Sequence, residues 1–440
     1  MKVVVYIDKP SPRVAYAVDL LFGNLLGLTY KVTQNPDDLN QSGIFGLNYS
    51  NKELQAHVNI APQEWMFRSD TRAVSVAMGK WRGMPVLFPH DCSEAGFDWL
   101  AASFYLASRY EEYLPFSPDK HERFAASESL AYREGFLRRP LINEWALAIH
   151  DLVQAAVPNI SFSQKAFRAE VTFDIDVGWA YRHKGWWRTT AALGREVVLF
   201  RFRDAWRRFR VLLGWEPDPY DTYDYIFQTL NDSGLDARFF MLLGDFNTFD
   251  RNSHHRNAAM IKLIHRIAAV ARVGIHPSYE SKYSRQQLRK EVLRLRRILG
   301  NSVTESRQHY LRLNFPNTYK ELINAGITDD FTMGYAQQAG FRASLCTPFR
   351  YFDLSENQAT PLQVHPFAYM DGTLNHYMKL EPENAIQLAN ELVDSVRKVG
   401  GTFYCLWHNS SLCEEREWQG WRRVYEATLR SCQSGEHLKS

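Results

Sequence analysis

Short apolar runs alternate with longer amphipathic segments from the start of the chain, a pattern typical of α/β proteins. "KVVVYI" predicts a buried strand, and "SPRVAYAVDLLFGNLLG" predicts a helix with Ser11 as N-cap, Pro12 at its first position and Gly27 at its end. The strand "MPVLFP" and the amphipathic "GFDWLAASFYLASRYEEYL" continue the alternation. A helix over "LINEWALAIHDLVQAAVP" ends at Pro158, before the polar "NISFSQKA". We therefore predict an N-terminal α/β domain of unknown role over residues 1–160.

The remaining residues, 161–440, repeat strand–helix units of roughly 30 residues. The predicted strands are "FRAEVTFDID", "ARFFMLLGD", "VGIHP", "SRQHYLRL", "FRASLC", "PLQVHPFAYM" and "GTFYCLWHN". The predicted helices are "DTYDYIFQTLNDSG", "HRNAAMIKLIHRIAAVA", one from Ser284 with Gln287 in a capping box, "NTYKELINAG", and one from Pro382 to Val399. Such repetition predicts a parallel sheet, and this many units predict closure into a barrel-like (β/α) array.

Composition narrows the class of protein. The 440 residues are 45% hydrophobic, and a net charge of +3 with 23% charged residues indicates neither a nucleic-acid-binding protein nor a disordered chain. The five cysteines are odd in number and include no C-x-x-C pair, so we expect a reducing compartment. No apolar stretch reaches the ~20 residues that a transmembrane helix needs, and the N-terminal run does not read as a signal peptide. We expect a soluble, cytoplasmic protein.

Four of the predicted strands end in or carry reactive side chains. These side chains are Asp174 and Asp176, then His276, then Arg307, His309 and Arg312, and finally His408. The i, i+2 spacing places both carboxylates on one face of their strand. Taken singly, each residue has an ordinary interpretation as a turn former, a hydrogen-bonded strand-end histidine or a surface ion pair. Because the carboxyl ends of parallel strands meet at one edge of a sheet, the ordered set predicts one convergent site.

Several short motifs along residues 168–410 occur in the order found in one known family. "TFDID" resembles the motif T-F-D-D-G, "ARFFMLLGD" resembles an A-T-F-F strand, and "GIHPSYES" resembles H-S-x-x-H. "RQHYLRLNFP" lies where an arginine-proline motif is expected, and "LWHN" resembles a final leucine-histidine motif. The sequence therefore resembles the polysaccharide deacetylases of the NodB-homology type, carbohydrate esterase family 4, as a divergent member with an additional N-terminal domain.

The resemblance implies a distorted (β/α) barrel and a divalent metal held by one aspartate and two histidines. The metal is most often Zn²⁺, with Co²⁺, Ni²⁺ or Mn²⁺ as alternatives. Carried over by motif, Asp176 stands for the metal aspartate and His276 for the first metal histidine. The second histidine of the motif is replaced by Glu280, so the third ligand is either Glu280 or His309. We favour His309, because Glu280 lies in the polar segment "SYESKYS", where a solvated carboxylate is the ordinary state.

The resemblance also implies an aspartate base, a histidine acid and an arginine that orients the base. Asp174 matches the base, His408 the acid, and the arginine falls on Arg307 or Arg312. Ile175 separates the two aspartates that are adjacent in the family, so their roles could be exchanged. The fourth, tryptophan-containing motif has no clear counterpart near "DFTMGYAQQAGF".

These expectations lead to a hydrolase that removes N-acetyl or O-acetyl groups from a carbohydrate, such as a cell-surface polysaccharide or its lipid-linked precursor. The metal would supply a hydroxide-like nucleophile, Asp174 would accept a proton and His408 would protonate the leaving group. The alternative is a catalytically silent protein of the same fold that binds glycans or a membrane surface.

The segment 179–215 is basic and rich in aromatic residues, with eight arginines between Arg182 and Arg210. The plainer interpretation is an inserted helical hairpin that packs on the barrel with a solvated basic face. The second is a helix that contacts the membrane surface, because basic amphipathic segments with tryptophan bind anionic headgroups. Binding to nucleic acid is the least favoured, because no nucleic-acid-binding module accompanies the segment. The expected partner is an acetylated sugar or polysaccharide. The second interpretation of residues 179–215 adds peripheral contact with the inner face of the membrane, and no nucleic acid is expected.

Overall fold

The computed structural model describes residues 2–90, 95–162 and 165–433, and has a mixed α/β architecture. Fifteen strands are described: β1 Val3–Ile7, β2 Tyr30–Thr33, β3 Phe45–Tyr49, β4 Val58–Ile60, β5 Met78–Trp81, β6 Met84–Leu87, β7 Arg168–Ile175, β8 Asp236–Leu242, β9 Arg272–His276, β10 Glu305–Ser306, β11 Asp329–Asp330, β12 Phe349–Asp353, β13 Gln358–Val364, β14 Tyr369–Met370 and β15 Thr402–His408. Twelve α-helices are described: α1 Pro12–Val18, α2 Trp99–Ala107, α3 Leu130–Arg133, α4 Leu141–Ala156, α5 Trp186–Val198, α6 Phe202–Leu212, α7 Tyr223–Ser233, α8 Ala258–Ala268, α9 Arg285–Leu299, α10 Asn317–Asn324, α11 Pro382–Lys398 and α12 Arg422–Gln433.

The N-terminal part contains a four-stranded parallel sheet in the order β2-β1-β3-β4. The first helix begins as predicted, because the Ser11 hydroxyl accepts the Val14 N–H at 3.2 Å and Pro12 occupies the first position. The α-helix then changes to a π-helix over Asp19–Leu25 before Gly27. The predicted strand "MPVLFP" is β6, which forms a separate antiparallel pair with β5.

The larger sheet has nine strands in the order β12-β13-β11-β10-β9-β8-β7-β15-β14. All neighbouring pairs are parallel except β12 and β13. In the part of the chain that the structure describes, no ladder joins the edge strands β12 and β14, so the sheet is open and the expected barrel is not closed. The strands β10 and β11, which are neighbours in the sheet, and the edge strand β14 have only two residues each, so they contribute few ladder hydrogen bonds.

Two predicted strands are wrong. "FRASLC" is irregular, because its backbone bonds elsewhere: the Phe341 N–H donates to the Leu137 carbonyl, and the Cys346 N–H donates to the Asn143 side chain. "SRQHYLRL" contributes only its first residue to β10 and continues as a 3₁₀ turn over His309–Leu311. Its central tyrosine has φ of 58°, a left-handed conformation that cannot continue a strand.

Apolar side chains from both predicted domains pack together. The Phe352 ring of β12 lies 5.1 Å from Tyr16 and 4.9 Å from Phe104, centroid to centroid, and these rings belong to one hydrophobic cluster that spans both parts. The boundary predicted at residue 160 falls between α4 and β7 and stays a prediction. Among the described residues, no helix combines the length and the apolar character needed to cross a membrane.

Candidate metal centre

The carboxyl ends of parallel strands bring the candidate residues to one edge of the nine-stranded sheet. Asp174 lies near the end of β7 and Asp176 follows its last residue, while Ile175 between them is buried on the other face. Asp174 is in register with His408 at the end of β15. His276 ends β9, on the far side of β8. The parallel strand order therefore assembles residues that are far apart in the sequence.

Asp176, His276 and His309 form a cluster of three potential metal ligands. Nε2 of His276 lies 3.1 Å from Oδ1 of Asp176, and Nε2 of His309 lies 3.4 Å from Oδ2 of Asp176. One donor atom from each residue lies within 4.8 Å of the other two. Both histidines are buried, whereas the Asp176 side chain is 28% exposed. One carboxylate and two imidazoles are ligands that zinc accepts in a three-ligand open site.

Hydrogen bonds on the outer side of the histidines orient their ring nitrogens. Nδ1 of His276 lies 2.6 Å from the Arg307 carbonyl oxygen, and Nδ1 of His309 lies 2.7 Å from Oδ1 of Asp250. Because these oxygens only accept, each Nδ1 carries the proton, and in the neutral ring Nε2 directs a lone pair at Asp176. Oδ1 of Asp176 is itself buried and has no hydrogen-bond donor among the described residues. With both rings neutral, the lone pairs of both histidines and of Asp176 thus point at one another with no proton between them. A cation between these atoms would satisfy all of them, so this set of ligand atoms suits a divalent metal.

The electrostatics of the cluster agree with this donor set. Burial raises the pKa of Asp176, but the surrounding histidines, first His309, lower it well below its usual range. Burial lowers the pKa of His309, but Asp176 and Asp250 outweigh burial and raise it to about 9. At neutral pH a proton therefore neutralises the cluster in the absence of a metal, and metal binding would release that proton.

His408 approaches the cluster from a separate strand and has its own carboxylate partner. Its Nδ1 lies 2.8 Å and 3.1 Å from the two oxygens of the buried Asp371, and its backbone N–H donates to the same carboxylate at 2.7 Å. The Ser411 hydroxyl also donates to Asp371. Burial lowers the pKa of His408, but Asp371, ahead of Asp176, raises it to about 10. Nε2 of His408 lies 3.5 Å from Asp176, so a protonated imidazolium faces the cluster at neutral pH.

Asp174 is paired with a fully buried arginine. Nη1 of Arg307 lies 3.1 Å from Oδ1 of Asp174, and its Nε donates to the Phe331 carbonyl at 2.9 Å. The guanidinium also lies 4.6 Å from the Phe240 ring centroid and 5.5 Å from that of Phe367. Burial lowers the pKa of Arg307, and Asp174 opposes this shift. The ion pair and the rings hold the Asp174 carboxylate in one orientation, with Oδ2 3.6 Å from Nε2 of His276.

The structure places the residues of two alternatives left open by the sequence in different surroundings. Arg307, not Arg312, contacts Asp174; Arg312 donates instead to the carbonyls of Tyr279 and His121 and pairs with Glu122 at 2.9 Å. Arg312 thus joins the N-terminal part to the loop after β9. Glu280 is exposed on the 3₁₀ turn Tyr279–Tyr283 and lies outside the metal-ligand cluster. The turn directs this carboxylate to solvent, whereas His309 faces inward.

Sequence reasoning missed the two aspartates that orient histidines. Asp371 directly follows the predicted strand "PLQVHPFAYM", so the strand-end rule used for Asp174 could have found it. Asp250 lies in the loop between β8 and α8 with no such pattern. Its buried carboxylate also accepts the Tyr279 N–H at 2.9 Å and an Asn247 side-chain N–H at 2.6 Å. These donors and His309 lower the pKa of Asp250, against the effect of burial.

A cavity of about 600 Å³ opens over the cluster. Asp174, Asp176, His276, His309 and His408 all line it. Its walls also carry Arg123, Arg251, Tyr310, Tyr377, Trp418 and Met370. Aromatic faces next to polar groups are the usual lining of a small-molecule site, and this volume accommodates a ligand of that size.

Comparison with known proteins gives limited similarity. A family model described as a family of unknown function, DUF7033, matches residues 3–158. A search of the curated proteins gives no match. Among solved structures, a Mycobacterium smegmatis protein named as a polysaccharide deacetylase overlaps with a TM-score of 0.40 and 14% identity, over 63% of this chain and 87% of that one.

Two further structures give similar values. A Bacillus cereus polysaccharide deacetylase has a TM-score of 0.31 and 14% identity over 62% of this chain and 88% of its own. A Streptomyces lividans family 4 carbohydrate esterase, solved with acetate, has a TM-score of 0.29 and 11% identity over 61% of this chain and 86% of its own. At such scores and identities the likeness assigns neither a family nor an activity to this chain.

Proposed function

We propose that the protein is a metal-dependent hydrolase that removes acetyl groups from a carbohydrate. The observation that carries the proposal is the convergence of Asp176, His276 and His309, each histidine oriented through its Nδ1, beside a separate Asp174–Arg307 ion pair and His408. Three ligands plus an acid and a base are the groups that metal-assisted hydrolysis requires. The resemblance of the ordered motifs to the NodB-type deacetylases supports the same reaction class.

Asp176, His276 and His309 would hold the metal, for which zinc is our first choice. When bound, such a cation polarises a carbonyl oxygen and lowers the pKa of water so that a nucleophile exists at neutral pH. Asp174 would accept the proton from the attacking water, because Arg307 keeps its carboxylate oriented. His408 would donate the proton on Nε2 to the departing amine or hydroxyl group, since its raised pKa keeps it protonated at neutral pH.

The lining of the cavity and the motifs support the proposed substrate class. Tyr310, Tyr377 and Trp418 offer aromatic faces for a sugar ring, and Arg123 and Arg251 offer donors for its hydroxyl or acetyl oxygens. We propose an acetylated sugar within a polysaccharide or its lipid-linked precursor. Both N-acetyl and O-acetyl groups suit the same machinery, since either leaving group needs one proton from His408.

The metal content of purified protein tests the binding site. Elemental analysis before and after incubation with zinc should find close to one equivalent in the wild type. The variants Asp176→Asn, His276→Ala and His309→Ala should each lose it, because a three-ligand site cannot retain a catalytic metal on two ligands. Glu280→Ala is the matched control and should keep its metal. No metal in the wild type after incubation, or loss only in Glu280→Ala, would contradict the site.

Acetate release tests the reaction. With acetylated chitooligosaccharides as probe, the metal-loaded wild type should release acetate. Asp174→Asn and His408→Gln should retain the metal and lose ~10²–10⁴-fold in rate, the usual contribution of a general acid or base. Binding of the oligosaccharide without acetate release, in a protein that holds its metal, would favour a silent glycan-binding protein.

A further inference from the structure

The segment between β7 and α7 forms a helical hairpin, α5 and α6, with unusual surface chemistry. Twelve of the nineteen exposed large hydrophobic side chains among the described residues lie between residues 186 and 215. They are Trp186, Trp187, Val197, Val198, Leu199, Phe200, Phe202, Trp206, Phe209, Leu212, Leu213 and Trp215. An apolar patch of this extent on a folded protein marks an interaction surface.

The two faces of α6 are inverted relative to an ordinary surface helix. Phe202, Trp206, Phe209 and Leu213 follow one another at the i, i+4, i+7, i+11 spacing of a single helix face, and all are exposed. The rings of Trp206 and Phe209 stack with centroids 5.6 Å apart. The only buried residue of α6 is Val211, on the opposite face.

The face of α6 that points to the protein carries charges. Arg207 pairs with Glu216 at 2.8 Å and with Glu415, and Arg208 pairs with Glu196 of α5. Asp204 accepts from Arg416 at 3.2 Å. The helix is therefore attached to the protein by ion pairs and presents its apolar side outward. Exposure of this apolar side to water is unfavourable, so a partner that covers it would stabilise the helix.

The hairpin also carries exposed basic side chains without an ion-pair partner among the described residues. Residues 186–215 contain seven arginines against two acidic residues, Glu196 and Asp204. Arg195, Arg201 and Arg203 are exposed and form no ion pair with any described residue. A second copy of the chain on this face would bring these arginines together, whereas anionic phosphate groups would neutralise them.

We propose that the α5–α6 hairpin docks the protein onto an anionic lipid bilayer. The tryptophan and phenylalanine side chains insert at the headgroup level, and the free arginines bind lipid phosphates, as interfacial amphipathic helices do. In this arrangement the helix pair lies on the surface of the bilayer and does not cross it. The docking is independent of the proposed hydrolase activity.

The hairpin also adjoins the candidate site. Val177, before the hairpin, and Tyr220, after it, both line the cavity over the metal-ligand cluster. The ion pairs of the hairpin reach Glu415 and Arg416, next to the cavity-lining Trp418. Docking would therefore bring the cavity mouth close to the bilayer, which suits a substrate presented at a membrane.

Vesicle flotation of the full-length protein tests the proposal. Vesicles of phosphatidylcholine alone are compared with vesicles that also contain phosphatidylglycerol. We expect flotation with the anionic vesicles, weakened by added salt. Replacing Arg195, Arg201 and Arg203 by serine should lower the partition coefficient roughly 100-fold. The variant with serine at Phe202, Trp206 and Phe209 should not float. Circular dichroism confirms that each variant is folded.

Val270→Ser with Leu293→Ser is the matched control, since both side chains are exposed apolar residues outside the hairpin. This variant should float like the wild type. Flotation that is absent in the wild type, or unchanged in both hairpin variants, would overturn the proposal. So would a concentration-dependent dimer that the apolar variant abolishes, because a second copy would then cover this face. Acetate release from a soluble substrate should be the same in the hairpin variants, so the two proposals fail separately.

Discussion

Each of the three histidines at the candidate site is held at Nδ1 by an oxygen that only accepts. The partner is the Arg307 carbonyl for His276, Asp250 for His309 and Asp371 for His408. The common arrangement fixes the ring orientation and leaves Nε2 for the chemistry. The burial of Asp250 and Asp371 strengthens both contacts, because a low local dielectric increases the interaction between a carboxylate and an imidazole.

Asp250→Asn should weaken metal binding about 10–100-fold without removing a ligand. The neutral amide still fits beside His309 but no longer increases the basicity of its imidazole. Competition with a fluorescent zinc chelator measures the affinity. Asp245→Asn, an exposed carboxylate in the same loop, is the control and should bind zinc like the wild type. Equal affinity in both variants would mean that Asp250 does not tune the site.

Asp371→Asn should change the pH dependence of acetate release. Asp371 raises the pKa of His408 to about 10, so the protonated acid is present below that pH and is lost as pH rises through it. Removal of the charge returns the pKa toward its ordinary value of ~6.5, and the alkaline limb of kcat moves to lower pH. Rate profiles of wild type, Asp371→Asn and the exposed Asp394→Asn measure this. An alkaline limb that does not move would exclude His408 as the acid.

At the level of elements, one buried carboxylate ties both ends of the hairpin insertion together. Asp218 accepts the backbone N–H groups of Ala180, Tyr181 and Arg182 at 2.8–2.9 Å and that of Tyr220 at 3.0 Å. These donors precede and follow α5 and α6. The insertion is thus closed at its base by one side chain, while β7 and α7 belong to the body of the fold.

Asp218→Ala should loosen the insertion and leave the sheet intact. Four backbone donors lose their acceptor, which costs ~1–3 kcal/mol for each group that stays buried and unpaired. Hydrogen exchange followed by mass spectrometry should show faster exchange over residues 179–220, with β7, β8 and β15 unchanged. The exposed Asp232→Ala provides the comparison. Uniformly faster exchange across the whole chain would instead make Asp218 a residue of the global core.

At the scale of the whole molecule, a buried ion cluster joins the N-terminal part to the large sheet. The Glu112 carboxylate accepts from Arg109 at 2.8 Å and from Arg342 at 2.9 Å, and Arg109 also donates to Tyr335. All of these residues are buried. Burial raises the pKa of Glu112, but Arg342 and Arg109 lower it below its usual range.

Glu112→Gln should reduce the free energy of unfolding by ~3–5 kcal/mol, because it leaves the buried Arg342 guanidinium without its anion, whereas Arg109 keeps Glu111 at 2.8 Å. Urea titration at neutral pH measures the loss, with Glu356→Gln on the surface as control. Since the folded pKa of Glu112 is lowered, its contribution is present above the unfolded value of ~4.3 and disappears as pH falls through the folded value. The difference in unfolding free energy between Glu112→Gln and the wild type should therefore shrink as the pH is lowered. A constant difference would assign the effect to packing.

Local periodicity and the signals at element ends predict several features of this protein correctly from the amino-acid sequence. Alternation within "VTFDID" places two carboxylates at the end of a buried strand, and Ser11 and Ser284 cap the helices that their positions predict. His276 and His408 lie at the ends of strands that the apolar runs before them predict. Such features depend on a few neighbouring residues, so they can be read along the chain.

Contacts between residues that are distant in the sequence depend on the packed fold. Arg307 reaches Asp174 across 133 residues and Asp250 reaches His309 across 59, so no local pattern distinguishes Arg307 from Arg312 or finds Asp250. His309 faces the cluster from a 3₁₀ turn, because the chain leaves β10 after Ser306 and does not continue the strand that periodicity predicts. The expected strand "FRASLC" is likewise absent, since its backbone bonds to the N-terminal part instead. Backbone groups take the partners that the packed fold supplies, and these partners are not encoded in any single segment.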